Sequence, residues 1–345
     1  MFIINHAKNY RTTDMRDCNT KSLKDECKKH LNYMYQFQKG IESITLKEFL
    51  EYKFDKHWKI VDLDVSFDAM LTYAIVYAQY DIQKFHDIYD KIKLQDKQKY
   101  KYCIKPEPDL EIVGDWLTSP LHMIKLYMGL MWEEEKSKDS KGKLHNKEYV
   151  NLFNKTSNKH LLYAPAGSWE NYCQKNIDVI WNSFDGKAKR FLNNTFMAGN
   201  FIPMLKYINP CRCNFNNDTL DSLLWKMYCC FQLSKDSEKL ENYIKNAFTG
   251  KYAKLAISNV KKWMEIFNYS WDDFLSANDL TMAVGKNKIP LSLQSGETIT
   301  INIGGKYDPE PQNFADCLRF FDNFNLIIET RTEKIWTRIN KWKKF

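Results

Sequence analysis

Four polar residues in the second half of the chain are of types that bind anionic groups: Asn200, Arg212, Asp279 and Arg331. Guanidinium and amide N–H groups donate hydrogen bonds to phosphate or carboxylate, and a neighbouring carboxylate can orient such donors. We predict that the four side chains converge on one polar pocket, as in an enzyme acting on a small molecule. The alternative is that the asparagines and Gly199 provide the backbone freedom of a conformational joint at residues 193–218.

Cysteine is the other residue type in this region that could do chemistry. Cys211 and Cys213 bracket one residue, which is a poor zinc knuckle, since structural zinc sites present pairs separated by two to four residues. Cys229 and Cys230 fall in a helical pattern, where adjacent side chains point about 100° apart and cannot easily bind one ion. The spacing predicts buried or free thiols, with no metal and no cofactor.

Familiar catalytic motifs are absent from the sequence. It contains no Gly-x-Ser-x-Gly, no Gly-rich lysine loop, no dinucleotide fingerprint and no His-Glu-x-x-His. All seven histidines lie in the first half of the chain and form no pair with ligand spacing. No catalytic residue follows from motifs, and whether the chain is an enzyme is left open.

Two lysine-rich segments carry aromatic residues as well. Residues 91–105 hold six lysines and two tyrosines, and residues 331–345 hold six basic residues against one acid, with Trp336, Trp342 and Phe345 interleaved. Lysines neutralise phosphates and exposed aromatic rings stack on unpaired bases, so both segments are candidates for nucleic-acid binding. The alternative is a solvated helix end. The candidate contacts are Lys97, Lys99, Lys101, Lys341, Lys343 and Lys344.

Composition fits a globular protein, with 345 residues, 44% hydrophobic residues and a net charge of +8. This mild excess permits an anionic partner without requiring one. The first residues contain an apolar run of only four, too short for a secretory signal, and no run reaches the roughly 20 residues of a membrane span. Nine cysteines without a signal suit a reducing compartment. We expect a cytoplasmic protein with no membrane partner.

Hydrophobic periodicity predicts a mainly α, multi-helix protein. Helical patterns cover residues 67–89, 168–184 (with Gly186 as the stop), 220–231 and the tail. A small β-hairpin is expected near residues 288–303, where TITINI alternates. The tail helix has an internal stripe with a four-and-three spacing, formed by Phe314, Leu318, Phe321, Asn325, Ile328, Thr332, Ile335 and Ile339.

A charged segment with almost no apolar residues, between Glu133 and Lys147, predicts a solvated loop between two regions. We expect an N-terminal helical region at residues 1–140. A C-terminal helical domain, which holds the Gly199-Asn200-Phe201 (GNF) loop and the hairpin, is expected at residues 148–345.

Several short motifs occur in a fixed order in the C-terminal half: AGNFIP (198–203), an Asn/Arg-rich loop, WDDFLSANDL (271–280) and IIETRTEKI (327–335). In this order the chain resembles an uncharacterised bacterial family, a domain of unknown function with a GNFxxP-like loop and an RxxxI motif in its last helix. The resemblance implies a bacterial or phage origin and a recurring polar cluster, without supplying catalytic residues. The matching positions are Gly199, Asn200, Pro203, Asp279, Leu280, Arg331 and Ile335.

These features give three functional hypotheses. The first is a nucleic-acid-directed effector of a bacterial defence or toxin-like kind, with a lysine-rich segment as its binding surface. The second is a non-catalytic helical module that binds another protein through an exposed apolar patch. The third is the small-molecule enzyme with a polar pocket around the GNF loop.

Overall fold

The computed structural model of the chain describes residues 75, 93–94, 104–107, 110–118, 123, 127, 186–195, 197–205, 207–208, 211, 219–250, 252–307 and 311–343. Of the helix predicted at residues 67–89 this includes Ile75, which is helical. The predicted helix at residues 168–184 and the charged segment at 133–147 lie outside the described residues.

The described part of the chain is mainly α-helical, as predicted. Its six α-helices are α1 (Gly186–Thr195), α2 (Leu220–Leu233), α3 (Ser237–Ala247), α4 (Ala253–Ile266), α5 (Trp271–Ala277) and α6 (Phe314–Lys343). Its strands are β1 (Lys93–Leu94), β2 (Ile104–Glu107), β3 (Leu110–Trp116) and β4 (Phe201–Leu205). Gly186 is the first residue of α1, and the helix that it was predicted to end lies outside the described residues.

The four strands form one antiparallel sheet in the order β1-β2-β3-β4. β3 and β4 pair from Ile112 opposite Leu205 to Trp116 opposite Phe201. The sheet is not predicted from the sequence, because β4 is buried along its whole length and shows no alternation. Since β1–β3 precede residue 140 and β4 follows residue 148, the sheet joins strands from both predicted regions.

The last helix, α6, is the central element of the packing. The side-chain oxygen of Asn313 accepts a hydrogen bond from the Asp316 N–H (2.9 Å) and so caps the first turn. The predicted stripe is confirmed as the packed face of the helix: Phe321, Asn325, Ile328, Ile335 and Ile339 are buried. Phe191 of α1 packs against three α6 rings, those of Phe320, Phe321 and Phe324.

Helices α2, α4 and α5 share an aromatic core. Trp271 and Phe274 lie on one face of α5, and their ring centroids are 5.4 Å apart. Phe231 of α2 contacts both of these rings, and Trp263 of α4 meets Phe274 edge to face at 5.2 Å. The Trp271 indole N–H donates to the Lys288 carbonyl (2.8 Å), so this core also holds the start of the predicted hairpin.

The predicted hairpin is present in a short, irregular form. Isolated antiparallel bridges join Val284 to Pro290 and Leu291 to Thr298. The pairing ends at Ile299, whose N–H donates to the Pro290 carbonyl (2.9 Å), although the sequence alternation continues for several residues. No helix in the described residues is both long enough and apolar enough to cross a membrane.

Candidate functional site: a buried arginine and a basic helix face

Arg331 of α6 binds two other segments of the chain through its guanidinium group. Its Nε donates to the Asn278 carbonyl (2.6 Å) at the end of α5. Its Nη1 donates to the Phe201 carbonyl (2.6 Å) and to the Gly199 carbonyl. The side chain is fully buried (0% exposed). A guanidinium suits this position because its rigid fork presents several donors at once.

The outer edge of β4 explains why an arginine is needed there. Successive residues of a strand direct their N–H and C=O groups to opposite edges. The Asn200 carbonyl accepts from the Leu117 N–H (2.7 Å) on the β3 side, so Phe201 and Pro203 direct their backbone groups away from β3. Pro203 has no N–H to satisfy on that edge, and Arg331 satisfies the Phe201 carbonyl.

Gly199 lets the chain approach α6 closely. Its N–H donates to Thr332 Oγ1 (3.0 Å), and Thr332 Oγ1 donates in turn to the Ile328 carbonyl (2.6 Å). A Cβ at this position would overlap the Ile328 carbonyl oxygen and Thr332 Oγ1. The described glycines with positive φ lie elsewhere, so the expectation of unusual backbone freedom is wrong at Gly199. Glycine is required at this position because it has no side chain that would collide with α6.

Asn200 acts as an extension of the β3–β4 pairing. Its side-chain oxygen accepts from the Thr118 N–H (3.0 Å) and its side-chain nitrogen donates to the Thr118 carbonyl (3.0 Å). Thr118 Oγ1 accepts from the Leu220 N–H (3.0 Å), in the first turn of α2. The Asn200 amide, which is 0% exposed, therefore faces the interior and fixes the end of β3 against α2.

Asp279 occupies the turn that ends α5. The Leu280 N–H donates to the Leu275 carbonyl (2.8 Å) and the Asp279 N–H to the Ser276 carbonyl (3.3 Å), the two bonds of a Schellman motif. The motif places Asp279 at φ 53°. Glycine is the usual residue at this left-handed position, and a side chain costs about 1–2 kcal/mol there.

The Asp279 carboxylate lies among three cations. It accepts from Arg338 Nη2 at 2.8 Å, and its side chain is only 4% exposed. Burial raises its pKa above the usual range, and the positive charges of Arg338, Arg331 and Lys334 oppose that rise. In return, the carboxylate partly compensates the charge of the buried Arg331.

Three of the four predicted pocket residues are thus close to one junction. Arg331 contacts the residues on both sides of Asn200 and the residue before Asp279. Arg212 lies outside the described residues. The side-chain amide of Asn200 and the Nε and Nη1 atoms of Arg331 bond to the backbone of the chain, and all three side chains are buried. We call this assembly of Gly199–Phe201, Asn278–Asp279 and Arg331 the Arg331 junction; its use as a ligand pocket stays a prediction.

The basic face of α6 consists of Lys334, Arg338 and Lys341. Steps of four and three residues place these side chains on one side of the helix. Lys334 and Lys341 are exposed, and neither forms an ion pair with the described part of the chain. Trp336 is only 4% exposed and belongs to the core, so it is not available to stack on bases.

The other nucleic-acid candidates are less well defined. Lys341 belongs to the basic face, and Lys343 is the last residue of α6. The remaining candidates, Lys97, Lys99, Lys101 and Lys344, lie outside the described residues. Lys334 and Arg338 were not among the predicted contacts, although their helical spacing from Lys341 is visible in the sequence.

Four cysteine thiols are further titratable groups in the described part of the chain. Cys211, Cys229, Cys230 and Cys317 are buried and unbridged, and burial raises the pKa of Cys230 well above its usual value. Among the described residues no group of three or more His, Cys, Asp or Glu side chains could hold a metal ion. Burial therefore favours the protonated thiol of Cys230 over the nucleophilic thiolate.

Asp221, near the start of α2, is a buried carboxylate that was not singled out in the sequence. Oδ1 accepts from Thr219 Oγ1 (2.7 Å) and the Ser222 N–H (3.0 Å), and Oδ2 from the Leu293 N–H (2.9 Å) and Tyr307 Oη (2.8 Å). Burial raises its pKa, and these donors oppose the rise. The carboxylate therefore ties α2 to the hairpin.

Comparison of the chain with protein-family models found no match, and comparisons with curated proteins and with solved structures found none either. The resemblance to an uncharacterised bacterial family stays a prediction. Three of the four motifs that carry it meet in space, since Arg331 bonds to Gly199 and Asn278; the Asn/Arg-rich loop lies largely outside the described residues. Function therefore has to be argued from the Arg331 junction and the basic face.

Proposed function

We propose that the chain binds nucleic acid through the basic face of α6 and acts as a nucleic-acid-directed effector of a bacterial defence or toxin-like kind. The observation that carries this proposal is the row of three cations on one side of the helix, two of them exposed and without an ion pair in the described residues. Lysine and arginine bind nucleic acid mainly by neutralising phosphates and releasing counterions.

The dimensions of the basic face suit a phosphate backbone. Lys334 and Lys341 are seven residues apart, about 10 Å along the helix axis. Phosphates follow one another at about 3.4 Å of axial rise on each strand of duplex DNA, so Lys334 and Lys341 can contact separate phosphates. The three side chains also project from a rigid helix, which lowers the entropy lost on binding.

Contacts of this kind predict binding without sequence preference. Phosphate contacts position a protein on a duplex, whereas base edges or stacking give specificity. Trp336 is buried and offers no ring to an unpaired base. The Arg331 junction is less suited to a ligand, since the amide of Asn200 and three donor bonds of Arg331 are used by backbone groups.

The test is the affinity for a short duplex of arbitrary sequence, measured by fluorescence anisotropy. The double variant Lys334→Gln/Lys341→Gln should bind about tenfold more weakly, and the slope of log affinity against log salt should shrink by about 1.8, or 0.9 for each lost contact.

A matched control is Lys235→Gln/Lys254→Gln, which removes the same charge from exposed lysines on other parts of the surface. This control should keep most of the affinity. Equal losses in the two double variants would show that overall charge, and not the basic face, governs binding, and would refute the proposal.

A further inference from the structure

We propose that Asp279 antagonises phosphate binding at Arg338, so that the Asp279–Arg338 ion pair acts as a built-in competitor within the basic face. The inference rests on the proposed function, because it concerns the same surface. It adds an autoinhibitory contact: a nucleic-acid phosphate gains the full use of Arg338 only by displacing the carboxylate.

The ion pair is exposed on one side only. Arg338 is 34% exposed and Asp279 is 4% exposed, with 2.8 Å between Nη2 and Oδ1. A phosphate in solution can therefore reach the guanidinium but not the carboxylate. A phosphate on Arg338 would lie within a few ångströms of the Asp279 charge, and like charges at such a distance repel each other strongly in a partly buried setting.

Asp279 competes most directly at Arg338, because these two residues form the ion pair. Arg331 is buried and donates to three carbonyls, so a phosphate cannot reach it. Lys334 is exposed and has no ion pair among the described residues, so it is available to phosphate without displacement. Removal of the Asp279 charge should therefore add one full contact to a face that already provides two.

Turn geometry separates the charge of Asp279 from its backbone role. The residue has φ 53°, a conformation that asparagine adopts more readily than most residues and that glycine adopts without strain. Asp279→Asn removes the charge and retains the size of the side chain, and Asp279→Gly removes the charge and relieves the backbone. Agreement between the two variants assigns an effect to the carboxylate.

The experiment measures duplex affinity for the full chain and its variants. Asp279→Asn should bind about three- to tenfold more tightly than the unsubstituted chain, with a salt slope steeper by about 0.9, the value for one more phosphate contact. Asp279→Gly should show the same increase in affinity and the same change in salt slope. In the Arg338→Gln background the same Asp279→Asn change should give a much smaller gain, since the donor that it frees is absent and the weaker charge interaction of Asp279 with Lys334 remains.

A charge-matched control is Asp272→Asn, which removes an exposed carboxylate paired with Lys288 and should leave the affinity almost unchanged. Binding by the unsubstituted chain that depends on Lys334 and Lys341, with no gain in either Asp279 variant, would leave the proposed function intact and overturn this inference. A gain of undiminished size in the Arg338→Gln background, or one that Asp272→Asn reproduces, would also overturn it. No binding by any variant would overturn both proposals.

Discussion

Arg331→Met is the substitution that most directly tests the Arg331 junction. Methionine keeps an unbranched apolar stem and removes the guanidinium. The carbonyls of Gly199, Phe201 and Asn278 then lose their Arg331 donor in a buried environment. The charge of Asp279 also loses one of the three cations that oppose its desolvation.

The expected loss follows from these contacts. A hydrogen bond to a charged group contributes about 1.5–3 kcal/mol, but bonds in one network are not additive. Breaking a buried charged network by removing one partner costs about 3–5 kcal/mol, and this is the decrease that we expect in the free energy of unfolding. Arg331→Lys should recover only part of it, because an ammonium group cannot reproduce the planar fork.

Urea unfolding followed by far-ultraviolet circular dichroism measures this loss. Lys341→Met, an exposed substitution on the same helix, is the control and should change the free energy of unfolding by less than about 0.5 kcal/mol. A loss below about 1 kcal/mol for Arg331→Met would refute the reasoning, since a single ordinary hydrogen bond contributes that much. An equal loss in the control would refute it as well.

Two further predictions concern the surroundings of the junction. Gly199→Ala should lower the free energy of unfolding by about 1–3 kcal/mol, because the new Cβ overlaps α6. The control Gly186→Ala has no atom within 4 Å of the added Cβ and should not lower it. Equal urea midpoints for the two variants would contradict this prediction. Although burial raises the pKa of Glu329, hydrogen bonds from Arg190 and Asn194 hold it below its usual value. This carboxylate should therefore stabilise the fold above about pH 4.3 and lose its contribution as pH falls through the lowered pKa. The difference in urea midpoint between the unsubstituted chain and Glu329→Gln should vanish in acid. A difference that does not depend on pH would exclude the mechanism.

Long-range periodicity made α6 predictable. Its stripe recurs over the whole helix, and five of its eight positions, including the polar Asn325, are buried. The proximity of Asp279 and Arg331 was predicted as part of a polar cluster, but their burial was not. Whether a polar group faces solvent or the backbone of a neighbouring segment depends on tertiary packing, which a local pattern does not contain.

The sheet was not predictable in the same way. β4 contains Pro203, and proline argues against a strand unless the strand lies at the edge of a sheet. The edge position of β4 depends on tertiary packing, in which Arg331 covers the outer side of the strand. Asp279 presents a similar difficulty, since its φ of 53° belongs to a position where glycine signals a turn. Helical geometry places Lys334, Arg338 and Lys341 on one face, which the number of charges along the sequence does not show.

The salt dependence of duplex binding by the unsubstituted chain tests the central claim most directly. We expect an affinity that falls steeply from low to moderate salt. The slope of log affinity against log salt should be about −2 or steeper, since each engaged cation contributes about −0.9. Binding that is insensitive to salt, or no binding at low salt, would contradict it.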